Sequence, residues 1–162
     1  MKHCISFFDG AFGTYYFEKT KDYKPCELAN IHSPWTVIDI HKSYISAGAQ
    51  AIKTNTFSVN SMIFTDLSQR KEIIRTAMAN AAEAAEGTDV QIFCDIGYIN
   101  SDKEDVSLEY VYIANDFIKN GGVNFLFETL PEFSPVERAM AHIKEKNPDA
   151  VIVASFAVSQ DG

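Results

Sequence analysis

The sequence predicts an α/β protein built on a parallel β-sheet, and two observations lead to that fold class. Five apolar runs of strand length recur along the chain. Several are apolar at every position, as expected for strands that are covered on both faces. Stretches with apolar residues at helical spacing lie between consecutive runs. Strict alternation of strand and helix favours parallel strands joined by right-handed crossovers.

The predicted elements follow one another as β-α-β-α-β-α-β-α-β. The strands are residues 4–8, 49–54, 89–95, 123–128 and 150–156. Two helices are predicted to begin at Ser-Pro pairs, because serine caps a helix and proline is accepted at the first helical position. The predicted caps of the four helices are Ser33, Ser68, Ser107 and Ser134, and three of the helices are expected to end at Gly48, Gly87 and Pro148.

Two architectures use this order of elements. An open, doubly wound sheet needs five strands, as in a flavodoxin-like binding domain, whereas an eight-stranded β/α barrel would contain five strands as a part of itself. A barrel typically needs about 250 residues, so a complete chain of 162 residues would favour the open sheet. No linker or low-complexity tract divides the chain, and residues 1–162 are therefore expected to form a single domain.

Composition excludes several classes of function. The chain is 46% hydrophobic and carries a formal net charge of −8, so its surface repels nucleic acid and anionic lipid, and neither is an expected partner. No apolar stretch approaches the roughly 20 residues that span a bilayer. Three distant cysteines, Cys4, Cys26 and Cys94, suit a reducing compartment. A cytoplasmic protein is expected.

Polar residues follow every predicted strand, at the edge where a parallel sheet binds its ligands. Asp9 and Gly10 follow the first strand, Asn55 and Thr56 the second, and Glu128 ends the fourth. Asp-Gly is also a common turn, and threonine and asparagine commonly close strands. Glu128 is harder to explain as a turn residue, because it follows an apolar run and needs a cation or an amide if it is buried.

Nucleotide and metal motifs are absent from the sequence. "GAFG" lacks the third glycine of a dinucleotide fingerprint and is not expected to open a helix. No two histidines or cysteines have the spacing of metal ligands. Nucleotide binding and a metal site within these residues therefore receive no support from the pattern.

Four segments in order resemble the homocysteine S-methyltransferase family. They are "FFDGAFGT", "CELANIHSPWTVIDIHKSYISAGAQAIKTNTFSVN", "VNFLFETL" and "VIVASFAVSQDG". The family includes the homocysteine-binding module of cobalamin-dependent methionine synthase and betaine–homocysteine methyltransferase. The resemblance implies a parallel β/α barrel of the TIM type, of which this chain holds strands one to five of eight.

The resemblance also implies a chemistry. Family members hold zinc through three cysteines, one after the sixth strand and two after the eighth, and zinc makes the homocysteine thiol a thiolate. None of the cysteines of this chain matches those positions. The chain is therefore expected to be the N-terminal part of a zinc-dependent enzyme that forms methionine from homocysteine, and to be inactive alone. Cobalamin or folate would act through other modules of larger enzymes.

Five residues match the amino-acid-recognition half of the family's site. Asp9 and Glu128 are expected to bind the substrate ammonium, Gly10 to let the backbone approach the ligand, and Asn55 and Thr56 to line the barrel mouth. The expected substrate is homocysteine or a similar thiol amino acid.

Two departures from the family pattern accompany this match. Lys53 replaces a glutamate, and Tyr98 follows Gly97 where the family reads Gly-Pro. A different outcome is also open, in which a half-barrel serves as an assembly module and pairs its sheet edges with a second copy or with a C-terminal half.

Overall fold

A computed structural model describes residues 7–101 and 106–158 of the chain. Four parallel strands form one sheet in the order β1-β2-β3-β4. The strands are β1 (Ala51–Lys53), β2 (Gln91–Gly97), β3 (Asn124–Leu130) and β4 (Ile152–Phe156). Phe8 forms a parallel bridge with Ala51 at the edge of β1 that does not pair with β2. Most of the predicted first strand, residues 4–6, lies outside the described residues.

The order of the strands decides between the two architectures. The second and third predicted strands, which are β1 and β2, pair directly with each other. In a flavodoxin-like sheet the first strand would lie between them. Sequential order is the arrangement of a β/α barrel, so the predicted barrel-type fold is confirmed and the flavodoxin-like alternative is wrong. In the described part of the chain, the last four predicted strands are observed as β1 to β4, and the first is represented by the bridge at Phe8.

The helices that connect the strands are those the sequence predicts, with two additions at the N-terminal side. They are α1 (Phe12–Thr20), α2 (Ala29–His32), α3 (Pro34–Ser46), α4 (Leu67–Ala85), α5 (Ser107–Lys119) and α6 (Ser134–Lys146), with a 3₁₀ turn at Cys26–Leu28. The expectation that "GAFG" opens no helix is wrong, since Gly13 lies in the first turn of α1. Packing explains α1, because Tyr16 is buried against Val37 and Ile40 of α3.

The helix caps differ from the predicted serines. Asp66, in extended conformation, caps α4 by accepting a hydrogen bond of 2.8 Å from the backbone N–H of Ser68. Ser33 precedes Pro34 as predicted but makes no capping hydrogen bond, and Ser134 lies inside α6 rather than before it. Proline therefore marks these two helix starts through its fixed φ angle rather than through a serine cap.

The two faces of the sheet carry different side chains. Phe125 and Phe127 of β3 pack outward against Tyr110 and Phe117 of α5 in the main apolar core. A smaller cluster on the inner face is formed by Ala51, Phe93 and Leu126, with Phe8 and Val153 packed against it. In the described part of the chain, no helix is both long and apolar enough to cross a membrane.

Alternation along the strands places three charged residues on the inner face. Successive side chains of a strand point to opposite faces, so residues two positions apart share a face. Lys53, Asp95 and Glu128 each lie two positions after a residue of the inner cluster, toward the carboxyl end of their strand. The fold therefore brings them together at one end of the sheet.

Candidate functional site

A cavity of about 850 Å³ opens at the carboxyl ends of the strands and is called the mouth cavity below. It is lined by all five residues predicted for the site, Asp9, Gly10, Asn55, Thr56 and Glu128, and also by Lys53 and Asp95. A second cavity of about 550 Å³ lies between α4 and α5 and contains none of the predicted residues. The five residues predicted for the site therefore lie together at the mouth cavity.

Asp9 is a buried carboxylate with one free oxygen. Its backbone N–H donates to the carbonyl of Ala51 (2.9 Å), and its Oδ2 accepts a hydrogen bond of 3.1 Å from the backbone N–H of Lys53. Its Oδ1 is buried and has no partner among the described residues. Burial raises the pKa of Asp9 to about 6, although the Lys53 N–H and the charge of Lys53 oppose that rise. Asp9 can therefore accept a cationic donor at neutral pH.

Lys53 and Glu128 form an ion pair across the cavity. Lys53 Nζ donates to Glu128 Oε1 at 2.9 Å, and both side chains are mostly buried. Burial lowers the pKa of Lys53, but the hydrogen bond and the negative charge of Glu128 outweigh it and hold the pKa above its usual value. Through its backbone and its side chain, Lys53 thus contacts both carboxylates that the sequence assigns to the site.

Asp95 is another carboxyl group that lines the mouth cavity. Its side chain lies on the inner face of β2, 4% exposed, and its Oδ1 has no partner among the described residues. Burial raises the pKa of Asp95 well above its usual value, and the charge of Glu128 adds to the effect. The environment therefore favours the neutral acid, which can donate a hydrogen bond.

A closed ring of hydrogen bonds joins the ends of β1 and β2. Thr56 Oγ1 donates to the backbone carbonyl of Asp95 at 2.7 Å, and the Asp95 N–H donates to Thr54 Oγ1 at 2.9 Å. The two hydroxyl oxygens lie 2.7 Å apart. Because the Thr56 proton goes to the carbonyl, Thr54 is the donor between them. The hydroxyl of Thr56 therefore acts in the scaffold, while the residue itself borders the cavity.

Asn55 is held by the 3₁₀ turn before α2. Its Nδ2 donates to the carbonyl of Cys26 (2.7 Å), its Oδ1 lies 3.3 Å from Cys26 Sγ, and its own carbonyl accepts from Asn30 (2.7 Å). The neighbouring Glu27 accepts the backbone N–H of Ser58 at 2.9 Å. These contacts fix the loop after β1 against the N-terminal helices.

A bulge in β3 presents the segment that carries Glu128. The pairing of β3 with β4 shifts register between Phe127 and Leu130. Inside that shift Thr129 has a φ angle of 60°, which is costly for a β-branched residue. The Thr129 N–H donates to Ser155 Oγ at 3.1 Å. Strain at a strand end beside a cavity is typical of positions that orient functional groups.

Two glycines permit close packing around the mouth cavity. A side chain at Gly97 would place its Cβ 2.4 Å from the Phe57 carbonyl oxygen, so only glycine fits there. A Cβ at Gly10 would lie 3.0 Å from Tyr44 Oη, whose hydroxyl donates to the Ala11 carbonyl (3.2 Å). Tyr98, the second departure from the family pattern, does not line the cavity.

Zinc does not fit the residues that the structure describes. They contain no group of three or more histidine, cysteine, aspartate or glutamate side chains placed to hold a metal ion. Cys94 is buried in the apolar core, and burial raises the pKa of the Cys26 thiol to about 12. A thiol of that kind is a poor metal ligand, since metals bind the thiolate.

The fold and the mouth cavity define a partial parallel β/α barrel with a carboxylate-rich cavity at the carboxyl ends of its strands. The sequence matches the family described as "Homocysteine S-methyltransferase" over residues 6–162. The chain belongs to the homocysteine S-methyltransferase family. A comparison with curated proteins finds no match.

Solved structures of a homocysteine methyltransferase, MmuM from Escherichia coli, have the same fold. Its apo form gives a TM-score of 0.72 at 22% identity, its oxidised form 0.78 at 20%, and its metallated form 0.76 at 20%. Each alignment covers 97% of this chain but only 61%, 63% and 64% of those chains, respectively. This chain therefore spans less than two thirds of the proteins that it resembles.

Sequence reasoning missed three features of the mouth cavity. Asp95 follows the apolar "IFC" and could have been chosen on the same grounds as Glu128. The pairing of Lys53 with Glu128 joins residues 75 positions apart and gave no local signal. The strain at Thr129 likewise arises only from the register shift with β4.

Proposed function

We propose that this chain supplies the amino-acid-recognition part of an enzyme that transfers a methyl group to the thiol of homocysteine or a similar thiol amino acid. The proposal rests on the environment of the Asp9 carboxylate. Its Oδ1 is buried, has no partner among the described residues, and lies at a cavity large enough for an amino acid. A buried acceptor of this kind needs a donor to offset its desolvation.

An ammonium group is the donor that best suits Asp9. A hydrogen bond between two charged groups is about twice as strong as one between neutral groups. Among the described residues, the Lys53 N–H bonds Asp9 Oδ2, and the nearby ammonium of Lys53 already pairs with Glu128. A ligand ammonium at Oδ1 would supply the missing donor, and Glu128 lies at the same cavity with its Oε1 bonded to Lys53.

Gly10, Asn55 and Thr56 have supporting parts in this proposal. Gly10 lines the cavity with its backbone, and the absence of a side chain lets this backbone pack closely against Tyr44. Asn55 and Thr56 hold the rim through the contacts described above. The zinc that the family resemblance implies would need ligands other than the described residues, and we expect the 162-residue chain alone to show no methyl transfer.

The proposal is tested by calorimetric titration of the 162-residue chain with L-homocysteine and with N-acetyl-L-homocysteine, which lacks the ammonium. We expect L-homocysteine to bind at least 10-fold more tightly, because a hydrogen bond to a charged group contributes about 1.5–3 kcal/mol. Asp9→Asn should remove most of this difference. Asp149→Asn, at an exposed position, is the matched control and should leave it unchanged. Equal binding of the two ligands to the unmodified chain would contradict the proposal.

A second function is favoured by the edge of the sheet. β4 pairs with β3 on one side, and the described residues place no strand on its other side. Phe156 is 48% exposed and Val158 is 81% exposed at this edge. Exposed apolar residues beside an unpaired strand favour strand pairing with a second copy or with a C-terminal half. Light scattering over a range of concentrations tests self-association, and a monomer throughout that range would exclude the second-copy version.

A further inference from the structure

We propose that Lys53 determines the charge of the ligand that the mouth cavity accepts, by neutralising Glu128 from within the chain and offering its ammonium to a ligand carboxylate. The inference rests on the proposed function, since it assumes that the ligand ammonium binds Asp9. It adds a second contact, between Lys53 and the carboxylate of the same amino acid.

The position of Lys53 is fixed by the strand to which it belongs. Lys53 ends β1 two residues after Ala51, so it shares the inner face of the sheet with Asp95 and Glu128. Its side chain is 14% exposed, and its Nζ lies 2.9 Å from Glu128 Oε1. A lysine held in this way at a cavity wall is a fixed positive charge rather than a solvated surface group.

The donors of Lys53 exceed the acceptors that the protein supplies. An ammonium carries three N–H donors, and the bond to Glu128 uses one of them. Among the described residues the hydrogen bonds include no second acceptor for Nζ. A ligand carboxylate in the mouth cavity would supply one.

The ion pair with Lys53 makes Glu128 a poorer binding partner for a ligand ammonium. A ligand ammonium that approached Glu128 would meet the Lys53 ammonium beside it, and like charges repel. Asp9 also lies near Lys53, but its Oδ1 receives no hydrogen bond from the described residues and so stays available to a ligand ammonium. The two ends of a zwitterionic amino acid are thus bound by opposite charges of the protein, the ammonium by Asp9 and the carboxylate by Lys53.

The inference is tested with two ligands that differ in the carboxylate alone. L-homocysteine carries both charges, whereas 3-aminopropane-1-thiol keeps the ammonium and the thiol but lacks the carboxylate. We expect the unmodified chain to bind L-homocysteine at least 10-fold more tightly in calorimetric titrations. Lys53→Met should remove that preference, and tighter binding of the cationic thiol by this variant would show that Glu128 has become available to an ammonium. Lys53→Arg should keep the preference for L-homocysteine.

Controls separate this inference from a purely structural role and from failure of the proposed function. Lys42→Met, at an exposed position on α3, should leave both affinities unchanged. If Lys53→Met folds, as judged by circular dichroism, and keeps the preference for L-homocysteine, Lys53 only stabilises the sheet and the inference is overturned.

The unmodified chain provides a test that needs no variant. Equal affinity for L-homocysteine and 3-aminopropane-1-thiol, together with weak binding of N-acetyl-L-homocysteine, would overturn the role of Lys53 and leave the role of Asp9 intact. Failure of the unmodified chain to bind L-homocysteine at all would overturn the proposed function and this inference together.

Discussion

The two faces of the sheet differ in the kind of side chain that they bury. The outer face is apolar and packs against the helices, with Phe125, Phe127 and Leu130 of β3 at most 1% exposed. The inner face has a small apolar cluster and, above it, Lys53, Asp95 and Glu128, which line the mouth cavity. The outer face therefore supplies most of the apolar core, whereas the inner face carries buried polar groups, of which Asp95 Oδ1 has no partner among the described residues.

The largest expected effect comes from the outer face. Phe127→Ala would remove a fully buried ring that contacts Tyr110, and we expect it to lower the free energy of unfolding by about 3–5 kcal/mol. Val153→Ala, at a half-buried position of the inner face, should cost about 1 kcal/mol. Urea denaturation measures both. Similar losses in the two variants would contradict the difference between the faces.

The next effect concerns the pH dependence of two buried groups. His41 is fully buried, neither ring nitrogen has a partner among the described residues, and burial lowers its pKa from 6.5 to about 4. The unfolded chain then binds more protons than the folded protein between these values, so His41 lowers stability as pH falls from 6.5 to 4. The contribution of Asp9 to stability has the opposite sign. Its pKa is raised from 3.8 to about 6, so between these values the folded protein binds more protons than the unfolded chain. Asp9 therefore raises stability as pH falls from about 6 to 3.8.

Single variants should separate these opposed contributions. Between pH 7 and pH 4, and relative to the unmodified chain, Asp9→Asn should lose about 2 kcal/mol of stability, and His41→Phe should gain about 3 kcal/mol. Urea denaturation at several pH values measures both differences. Parallel pH profiles for all three proteins would show that neither group titrates as its burial requires.

The smallest effect is expected at Thr129. Thr129→Gly should raise the free energy of unfolding by about 1 kcal/mol, because glycine adopts a φ of 60° without the strain that a β-branched residue carries. The matched control is Thr65→Gly, at an exposed loop position outside the left-handed region. That change should lower stability, since it only adds freedom to the unfolded chain. A loss of stability in both variants would argue against strain at Thr129.

Sequence reasoning succeeded where local pattern determines structure. The apolar runs predicted both ends of each of the four described strands to within two residues. Two strands are longer at their carboxyl ends than predicted, because β2 and β3 continue through Asp95 and Glu128 to Gly97 and Leu130. Backbone pairing needs no apolar side chain, so a change to polar residues does not end a strand.

The site could be predicted only in part. Asp9 and Glu128 were placed at one cavity from the general rule that parallel strands direct their carboxyl ends to a common edge. The partner of each group depends on the register between strands, which the sequence does not display locally. For that reason the Lys53–Glu128 pair and the free Oδ1 of Asp9 required coordinates.

The threonine ring at the ends of β1 and β2 has a consequence for amide exchange. The Asp95 N–H lies beside an open cavity, yet it is bonded to Thr54 inside a ring whose protons are all used. Its hydrogen can exchange with deuterium only when that ring opens. The Asp95 amide should therefore be a slow-exchanging reporter beside the mouth cavity, and its exchange rate measures how often the two strand ends separate.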